Sequence, residues 1–301
     1  MPVGHNIWRV NQSSQPKIVC MMRIKNEEQW IAPVLEAASR VADSFVILDD
    51  GSTDRTPEIC RAHPKVVRYE YQSRKSLDEA RDKDLLLRWA LDENPDWILA
   101  LDGDEVLEDV AGTTIRREIA LCPPEVTCLG FHWLYMWNSP DQYRVDGKYD
   151  SPALPRLFRV TGLGLDPRKL RIRRTEHGGN LHCGSIPGNL PGLVRYIDVY
   201  VKHYGYLDRS ERETRLEFYE QHDPHCASKG SYEHLTSEEG MILKQWRERS
   251  PDEVTYSDQT DFVTKPLYRE AGGLMAIRSR FRRSCAWLLR ILTRWGIRRS
   301  S

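Results

Sequence analysis

The chain has 301 residues, of which 40% are hydrophobic and 29% charged, and its 44 Lys and Arg balance 44 Asp and Glu. This composition is typical of a globular protein and argues against a disordered, collagen-like or coiled-coil chain. No apolar run approaches the ~20 residues that cross a bilayer, and residues 1–16 form a polar leader without the apolar segment of a secretory signal. Seven scattered cysteines without a C-x-x-C pair indicate reduced thiols in a cytoplasmic protein.

The first hundred residues predict strands that alternate with helices. Four strands are predicted, at Lys17–Met22, Phe45–Leu48, Lys65–Tyr71 and Trp97–Leu101. Apolar residues at helical spacing predict three helices between them: one that opens with Asn26 as its N-cap, one over 53–62 and one over 77–91. Short connections between such elements predict a parallel sheet with helices on both faces.

Two acidic turns follow strands of this predicted sheet. One is Asp49–Asp54, in which Gly51 permits a tight turn, and the other is Asp102–Glu105. Since ligands of open α/β sheets bind beyond the carboxyl ends of the strands, the two turns should form one polar site. Asp102 and Asp104 can face a common Mg²⁺ or Mn²⁺, although a solvated acidic turn gives the same pattern.

The second half gives weaker signals. Strands are predicted over 131–137, 154–160 and 199–206, and a charged helix over 209–222. Residues 223–270 are polar and irregular. We therefore divide the chain into a leader (1–16), a main domain (17–222), a polar C-terminal extension (223–270) and a basic tail (271–301).

Three motifs together resemble family 2 glycosyltransferases. They are the segment Arg23–Glu28, the run Val46–Thr56 and the run Trp97–Glu105. The resemblance implies an α/β, GT-A-like nucleotide-sugar-binding fold with a mostly parallel central sheet. It also implies a nucleotide-diphosphate sugar donor and Mn²⁺ or Mg²⁺ as cofactor.

The resemblance also assigns roles to single residues. Asp50 would contact the base of the donor, and Asp102 would lie near its sugar or ribose. Asn26 and Glu27 would lie along the nucleotide pocket. Asp104 would ligate the metal, and His203, which follows the last predicted strand, would complete the metal site unless it packs under an aromatic cluster.

Two further roles are predicted in the second half. Arg156 and Arg159 are candidates to hold the diphosphate bidentately, although arginines on strands are also common at surfaces. Transfer with inversion needs a base that deprotonates the acceptor hydroxyl. Glu176 and His182 are the candidates for this base, and the alternative is that both only line a loop.

The last thirty residues predict a cationic amphipathic helix. Residues 271–301 hold eight Arg and no Asp or Glu, so the remainder of this neutral chain is acidic. Over 274–299, apolar residues fall on one helical face and arginines on the other. This pattern is typical of a helix that lies on an anionic membrane surface. The alternatives are docking on its own domain or a partner protein, and nucleic-acid binding, which the acidic body disfavours.

The sequence thus predicts a peripheral membrane glycosyltransferase on the cytoplasmic face. It would transfer a sugar to a glycan or lipid-linked acceptor, with inversion, as in polysaccharide biosynthesis. One alternative is a sugar-nucleotidyltransferase or metal phosphohydrolase, but the glycine-rich loop of nucleotidyltransferases is absent after the first strand. The other is a protein that binds nucleotide sugars without catalysis.

Overall fold

A computed structural model describes residues 15–73, 77–150, 152–174, 183–223, 232–259, 264–267 and 277–278. The first half alternates strands and helices: β1 (Ile18–Ile24), α1 (Ile31–Ser39), β2 (Ser44–Asp49), α2 (Thr56–Ala62), β3 (Val66–Tyr71), α3 (Glu79–Asp92) and β4 (Trp97–Asp102). This order confirms the predicted α/β pattern.

The second half is richer in strands than predicted. It contains β5 (Glu105–Leu107), α4 (Ala111–Leu121), β6 (Val126–Trp137), β7 (Ser139–Arg144), β8 (Pro152–Arg159), β9 (Ile172–Arg174), β10 (Cys183–Pro187), β11 (Leu193–His203), α5 (Arg209–His222), β12 (Leu243–Gln245), β13 (Thr264–Pro266) and β14 (Ile277–Arg278). The predicted helix 209–222 is confirmed with the same bounds.

The main sheet is mixed. Its strands run in the order β12-β7-β6-β8-β4-β1-β2-β3, and β11 joins it by pairing with β6, β5 and β13. The pairs β1–β2, β1–β4 and β2–β3 are parallel, as predicted. The carboxyl ends of β1, β2 and β4 therefore share one edge of the sheet. β8 runs antiparallel between β4 and β6.

Helices cover both faces of the parallel strands because successive strand residues point to opposite sides. On one face Cys20 and Met22 pack with α1, α2 and α4. On the other face Val19 and Met21 pack with α3. β1, β2 and β4 are therefore buried on both sides, which explains their continuous apolar runs.

The start of α1 differs from the prediction. Its N-cap is Trp30, not Asn26. Asn26 adopts a left-handed conformation with φ 53°, and its side-chain oxygen accepts a hydrogen bond from the Thr53 N–H at 2.8 Å. The N-cap prediction is wrong because this oxygen is used between two loops instead of within a helix.

Part of the polar extension packs on the main sheet. β12 pairs with β7, and the buried Arg249 forms ion pairs with Glu108 at 2.6 Å and Asp198 at 2.9 Å. Residues 243–258, which we call the C-terminal strap, are thus fixed to α4 and β11 by buried charges and by a hydrogen bond from the Ser257 N–H to Glu118.

Most of the basic tail and of the leader lies outside the described residues. Within the predicted helix 274–299, only Ile277 and Arg278 are described, and they form a strand paired with β8, so the helix prediction is wrong for these two residues. No helix among the described ranges is long and apolar enough to cross a membrane.

Candidate active site

The candidate site lies at the carboxyl ends of β1, β2 and β4. The strand register places Arg23 beside Asp102 and Ile24 beside Asp49. Asp50 continues from β2, and the Asp102–Glu105 turn connects β4 to β5. The two acidic turns therefore share one edge, as parallel strands require.

Hydrogen bonds join the β1–α1 loop to the β2–α2 loop. The Asn26 N–H donates to Ser52 Oγ at 2.8 Å, the Glu27 N–H donates to Thr56 Oγ1 at 2.7 Å and the Arg55 N–H donates to Glu28 at 2.9 Å. Asn26 and Glu27 thereby belong to a fixed wall of the site. α2 begins at Thr56 and not at Thr53 as predicted.

Asp50 lies in a polar network. Its carboxylate accepts hydrogen bonds from Arg23 and from Gln72 Nε2, the latter at 2.9 Å. Arg23 Nε also donates to Asp82 at 3.1 Å. Because the side chain of Asp50 is only 10% exposed, a ligand that reaches it must share or replace the contacts with Arg23 and Gln72.

Asp102 borders a small pocket lined by three cations, Arg23, Lys83 and Arg156. Desolvation acts to raise the pKa of Asp102, but the charges of Lys83 and Arg156 outweigh it and lower the pKa to about 2. Asp102 is therefore ionised at every physiological pH and can accept hydrogen bonds from a hydroxyl group.

Arg156 lies between two carboxylates. Its Nη2 donates to Glu105 at 2.8 Å, and its Nη1 is 3.7 Å from Asp102. The guanidinium lies over the ring of Trp133 at 4.5 Å. Its Nη1 has no hydrogen-bond partner within the described ranges, so one donor remains for an oxygen atom of a ligand.

Asp104, Glu105 and His203 form a cluster with the donor set of a metal site. One ligand atom of each lies within 4.8 Å of the others, and His203 Nε2 is 3.7 Å from Asp104 Oδ2. Burial lowers the pKa of His203, so its imidazole is neutral near pH 7, as a metal ligand must be. Carboxylate oxygens with one imidazole suit Mn²⁺.

The chain after β11 packs closely on this cluster. The Tyr204 N–H donates to the Asp104 carbonyl at 2.9 Å. A Cβ atom at Gly205 would lie 2.0 Å from Asp104 Oδ2, so only glycine fits there. His203 Nδ1 is buried and has no hydrogen-bond partner among the described residues. Both features mark this place as a cradle built around Asp104 and His203.

Sequence reasoning missed a further contact of this cluster. Arg215 Nη2, from α5, donates to Asp104 Oδ2 at 3.1 Å. Tyr206 lies beside it, stacked on Tyr135 at 5.6 Å and in edge contact with His203 at 4.7 Å. The three-residue spacing of Arg212 and Arg215 on α5 puts both on one helical face, and this was the only signal in the sequence.

Glu27 lies against the same turn. A Cβ atom at Gly103 would be 2.6 Å from Glu27 Cγ. Burial, followed by the charge of Asp104, raises the pKa of Glu27 from 4.5 to about 9. Glu27 is thus protonated near neutral pH when no cation is bound.

The free energy of unfolding of the metal-free protein is therefore expected to fall as the pH rises from about 5 to 9. The folded state keeps the Glu27 proton across this window and the unfolded chain has lost it, so raising the pH favours unfolding. Urea unfolding in EDTA at a series of pH values measures the slope. Glu27→Gln should flatten it, whereas an unchanged slope in this variant would assign the dependence to other groups.

The remaining predicted site residues lie elsewhere or are not described. Arg159 pairs with Trp97 at the start of β4 and lies over its ring at 5.0 Å. It is at the opposite edge of the sheet, so its predicted contact with the diphosphate is wrong. Glu176 and His182 lie outside the described residues.

Residues 20–111 match the sequence profile described as Glycosyl transferase family 2. The match includes Asn26, Glu27, Asp50, Asp102 and Asp104. An uncharacterized protein of Mycobacterium tuberculosis, Rv3786c, is 27% identical over an alignment of 223 positions that covers 69% of this chain and 51% of the relative. The chain thus spans about half the length of this relative.

Two solved structures are similar to part of the chain. One is TarS of S. aureus, residues 1–349, in complex with UDP-GlcNAc, with 18% identity, coverage of 40% of this chain and 34% of that chain, and a TM-score of 0.33. The other is glucosyl-3-phosphoglycerate synthase from Mycobacterium tuberculosis in complex with Mn²⁺, UDP and phosphoglyceric acid, with 18% identity, coverage of 39% and 43%, and a TM-score of 0.30.

Proposed function

We propose that this chain, in which residues 20–111 match the profile of glycosyl transferase family 2, is a metal-dependent glycosyltransferase. It transfers a sugar from a nucleotide-diphosphate sugar to a hydroxyl group of a glycan or glycolipid, with inversion, and serves polysaccharide biosynthesis. The observation that carries this proposal is the cluster of Asp104, Glu105 and His203 at the edge that also holds Asp50 and Asp102.

Asp104 and His203 hold the divalent cation in this proposal, and Glu105 offers a further oxygen beside them. The neutral imidazole and the close approach of Gly205 to Asp104 support this role. When bound, the cation neutralises charge on the diphosphate leaving group.

The donor lies along the fixed wall of Asn26 and Glu27. Asp50 accepts hydrogen bonds from the base, and the ionised Asp102 accepts them from a hydroxyl group of the ribose or sugar. Arg156 keeps Asp102 and Glu105 in place by charge and offers Nη1 to a diphosphate oxygen. Charge-assisted hydrogen bonds of this kind favour the leaving group as its negative charge grows.

The acceptor hydroxyl is deprotonated by Glu176 or His182. Their segment lies between β9 and β10, and β10 borders the Asp102 pocket through Ser185. The two single substitutions Glu176→Gln and His182→Gln separate the candidates, because only loss of the base lowers turnover without changing donor affinity.

Residues 274–299 of the basic tail place the enzyme on an anionic membrane surface at the cytoplasmic face. The sequence of this segment, projected on a helix, places apolar residues on one face and arginines on the other, and this pattern supports the proposal. A membrane position brings the site to a lipid-linked acceptor. Sedimentation with vesicles of anionic and of neutral lipid tests it, since only the anionic vesicles should carry the full chain down.

The experiment that tests the transferase proposal measures products. The purified chain is incubated with a panel of nucleotide-diphosphate sugars and Mn²⁺, with water as the slow acceptor. We expect one donor to yield a nucleoside diphosphate and a free sugar whose first-formed anomer, read by proton NMR, is opposite to that of the donor. Release of a nucleoside triphosphate after addition of pyrophosphate would instead identify a nucleotidyltransferase, and no product from any donor would contradict both.

A further inference from the structure

The Asp104 carboxylate of the metal cluster already has a positive partner. Asp104 Oδ2 accepts a hydrogen bond from Arg215 Nη2 at 3.1 Å, and the same oxygen faces His203 Nε2 at 3.7 Å. The Asp104 side chain is 6% exposed and that of Arg215 is 33% exposed. The guanidinium therefore already occupies the Asp104 oxygen that a cation would use.

Arg215 does not anchor α5 to the rest of the protein. The only buried residue of α5 is Arg212, which donates to the carbonyls of Tyr206 and Leu207 at 2.8 and 2.7 Å and to Asn138 Oδ1 at 3.0 Å. This anchor lies one turn before Arg215 and does not involve Asp104. The Arg215 side chain can thus leave Asp104 while α5 stays in place.

A divalent cation and this guanidinium compete for Asp104 Oδ2. Both are positive, and in the poorly solvated surroundings of Asp104 their repulsion is only weakly screened. A diphosphate brings negative charge to the same edge and gives a displaced guanidinium a new partner, for which the planar donors of arginine are suited.

We propose that Arg215 is a built-in counterion of Asp104 which makes binding of the cation depend on the donor. Without donor, Arg215 occupies Asp104 and weakens cation binding. With donor, the guanidinium turns to the diphosphate and frees the carboxylate. This proposal rests on the proposed function, because it needs a cation at Asp104 and a diphosphate beside it.

The first arm of the test measures Mn²⁺ affinity without nucleotide, from the paramagnetic resonance signal of free Mn²⁺. Arg215→Gln should bind Mn²⁺ about tenfold more tightly than the unmodified chain, a typical size for coupling between sites. Arg209→Gln is the matched control: it removes the same charge from the same helix at a 61% exposed position paired with Glu213. It should leave the affinity unchanged.

The second arm repeats the titration with UDP, GDP, CDP, ADP and dTDP in turn. In the unmodified chain the diphosphate that binds should tighten Mn²⁺ binding by about tenfold or more, and by linkage Mn²⁺ should tighten its binding equally. In Arg215→Gln this coupling should fall to about threefold or less. Arg215→Lys keeps the charge and should behave as the unmodified chain, provided its circular dichroism is native.

The outcomes separate the two proposals. If the unmodified chain binds Mn²⁺ and a nucleoside diphosphate but Arg215→Gln changes neither the affinity nor the coupling, the counterion proposal is wrong and the transferase proposal stands. If neither the unmodified chain nor Arg215→Gln binds Mn²⁺ or any diphosphate, both are wrong. Equal effects of Arg209→Gln and Arg215→Gln would mean that the loss of one positive charge anywhere on α5 changes Mn²⁺ binding. This result would also overturn the counterion proposal.

Discussion

Asp104→Asn is expected to lower transferase activity by roughly a thousandfold and to abolish Mn²⁺ binding. Asn keeps the shape of the side chain but loses the charge that binds a cation. The backbone contact from the Tyr204 N–H to the Asp104 carbonyl is independent of the side chain, so the fold should persist. Initial rates with the active donor and Mn²⁺ titration of the same sample measure both effects.

Asp109→Asn is the matched control for this change. Asp109 follows the same turn at a distance of five residues, but its side chain is 58% exposed and pairs with Arg40 at the surface. It should keep full activity and Mn²⁺ affinity. If Asp104→Asn retained more than about a tenth of the activity at saturating donor, the metal assignment would be wrong.

Arg249→Met is expected to lower the free energy of unfolding by about 3–5 kcal/mol, because it leaves buried carboxylates without their partner. The Arg249 side chain is 9% exposed, and it pairs with Glu108, which is 0% exposed, and with Asp198. Met keeps most of the packing volume of the side chain. Denaturant unfolding of the full chain measures the change.

Arg247→Met provides the comparison within the same strap. Arg247 is 73% exposed and pairs with Glu253 at the surface, so its loss should cost less than about 1 kcal/mol. Equal, small effects of the two substitutions would mean that the C-terminal strap does not unfold together with the main sheet. The predicted division between a main domain and a polar extension would then hold physically.

The parallel half of the fold follows from local sequence pattern. β1, β2 and β4 are apolar runs bounded by polar turns, and each helix shows its own spacing, so no distant contact is needed to recognise them. The position of Asp50 and Asp102 at one edge follows from the parallel arrangement alone. The proximity of His203 to Asp104 does not follow from it. That pairing rested on the family resemblance, and the antiparallel β5–β11 contact accounts for it, with His203 opposite Glu105.

Contacts between distant segments were not predictable in this way. Arg215 reaches Asp104 across 111 residues, and Arg249 reaches Glu108 across 141 residues. An arginine on a polar helix or in an irregular segment looks the same in sequence whether it ends in solvent or on a buried carboxylate. Asn26 is a similar case over a shorter distance in the sequence. Its side-chain oxygen accepts a hydrogen bond from the neighbouring loop, at Thr53, and the sequence pattern does not show this contact.

The most direct test of a metal-dependent donor site is the thermal stability of the full chain with a panel of nucleotide-diphosphate sugars, with and without Mn²⁺. A ligand at a hundred times its dissociation constant stabilises a protein by ~2.7 kcal/mol, which such a scan resolves. We expect stabilisation by one donor, dependent on Mn²⁺ and lost in Asp104→Asn. Stabilisation that is equal without Mn²⁺ and in Asp104→Asn, or absent with every donor, would contradict a metal-dependent donor site at this edge of the sheet.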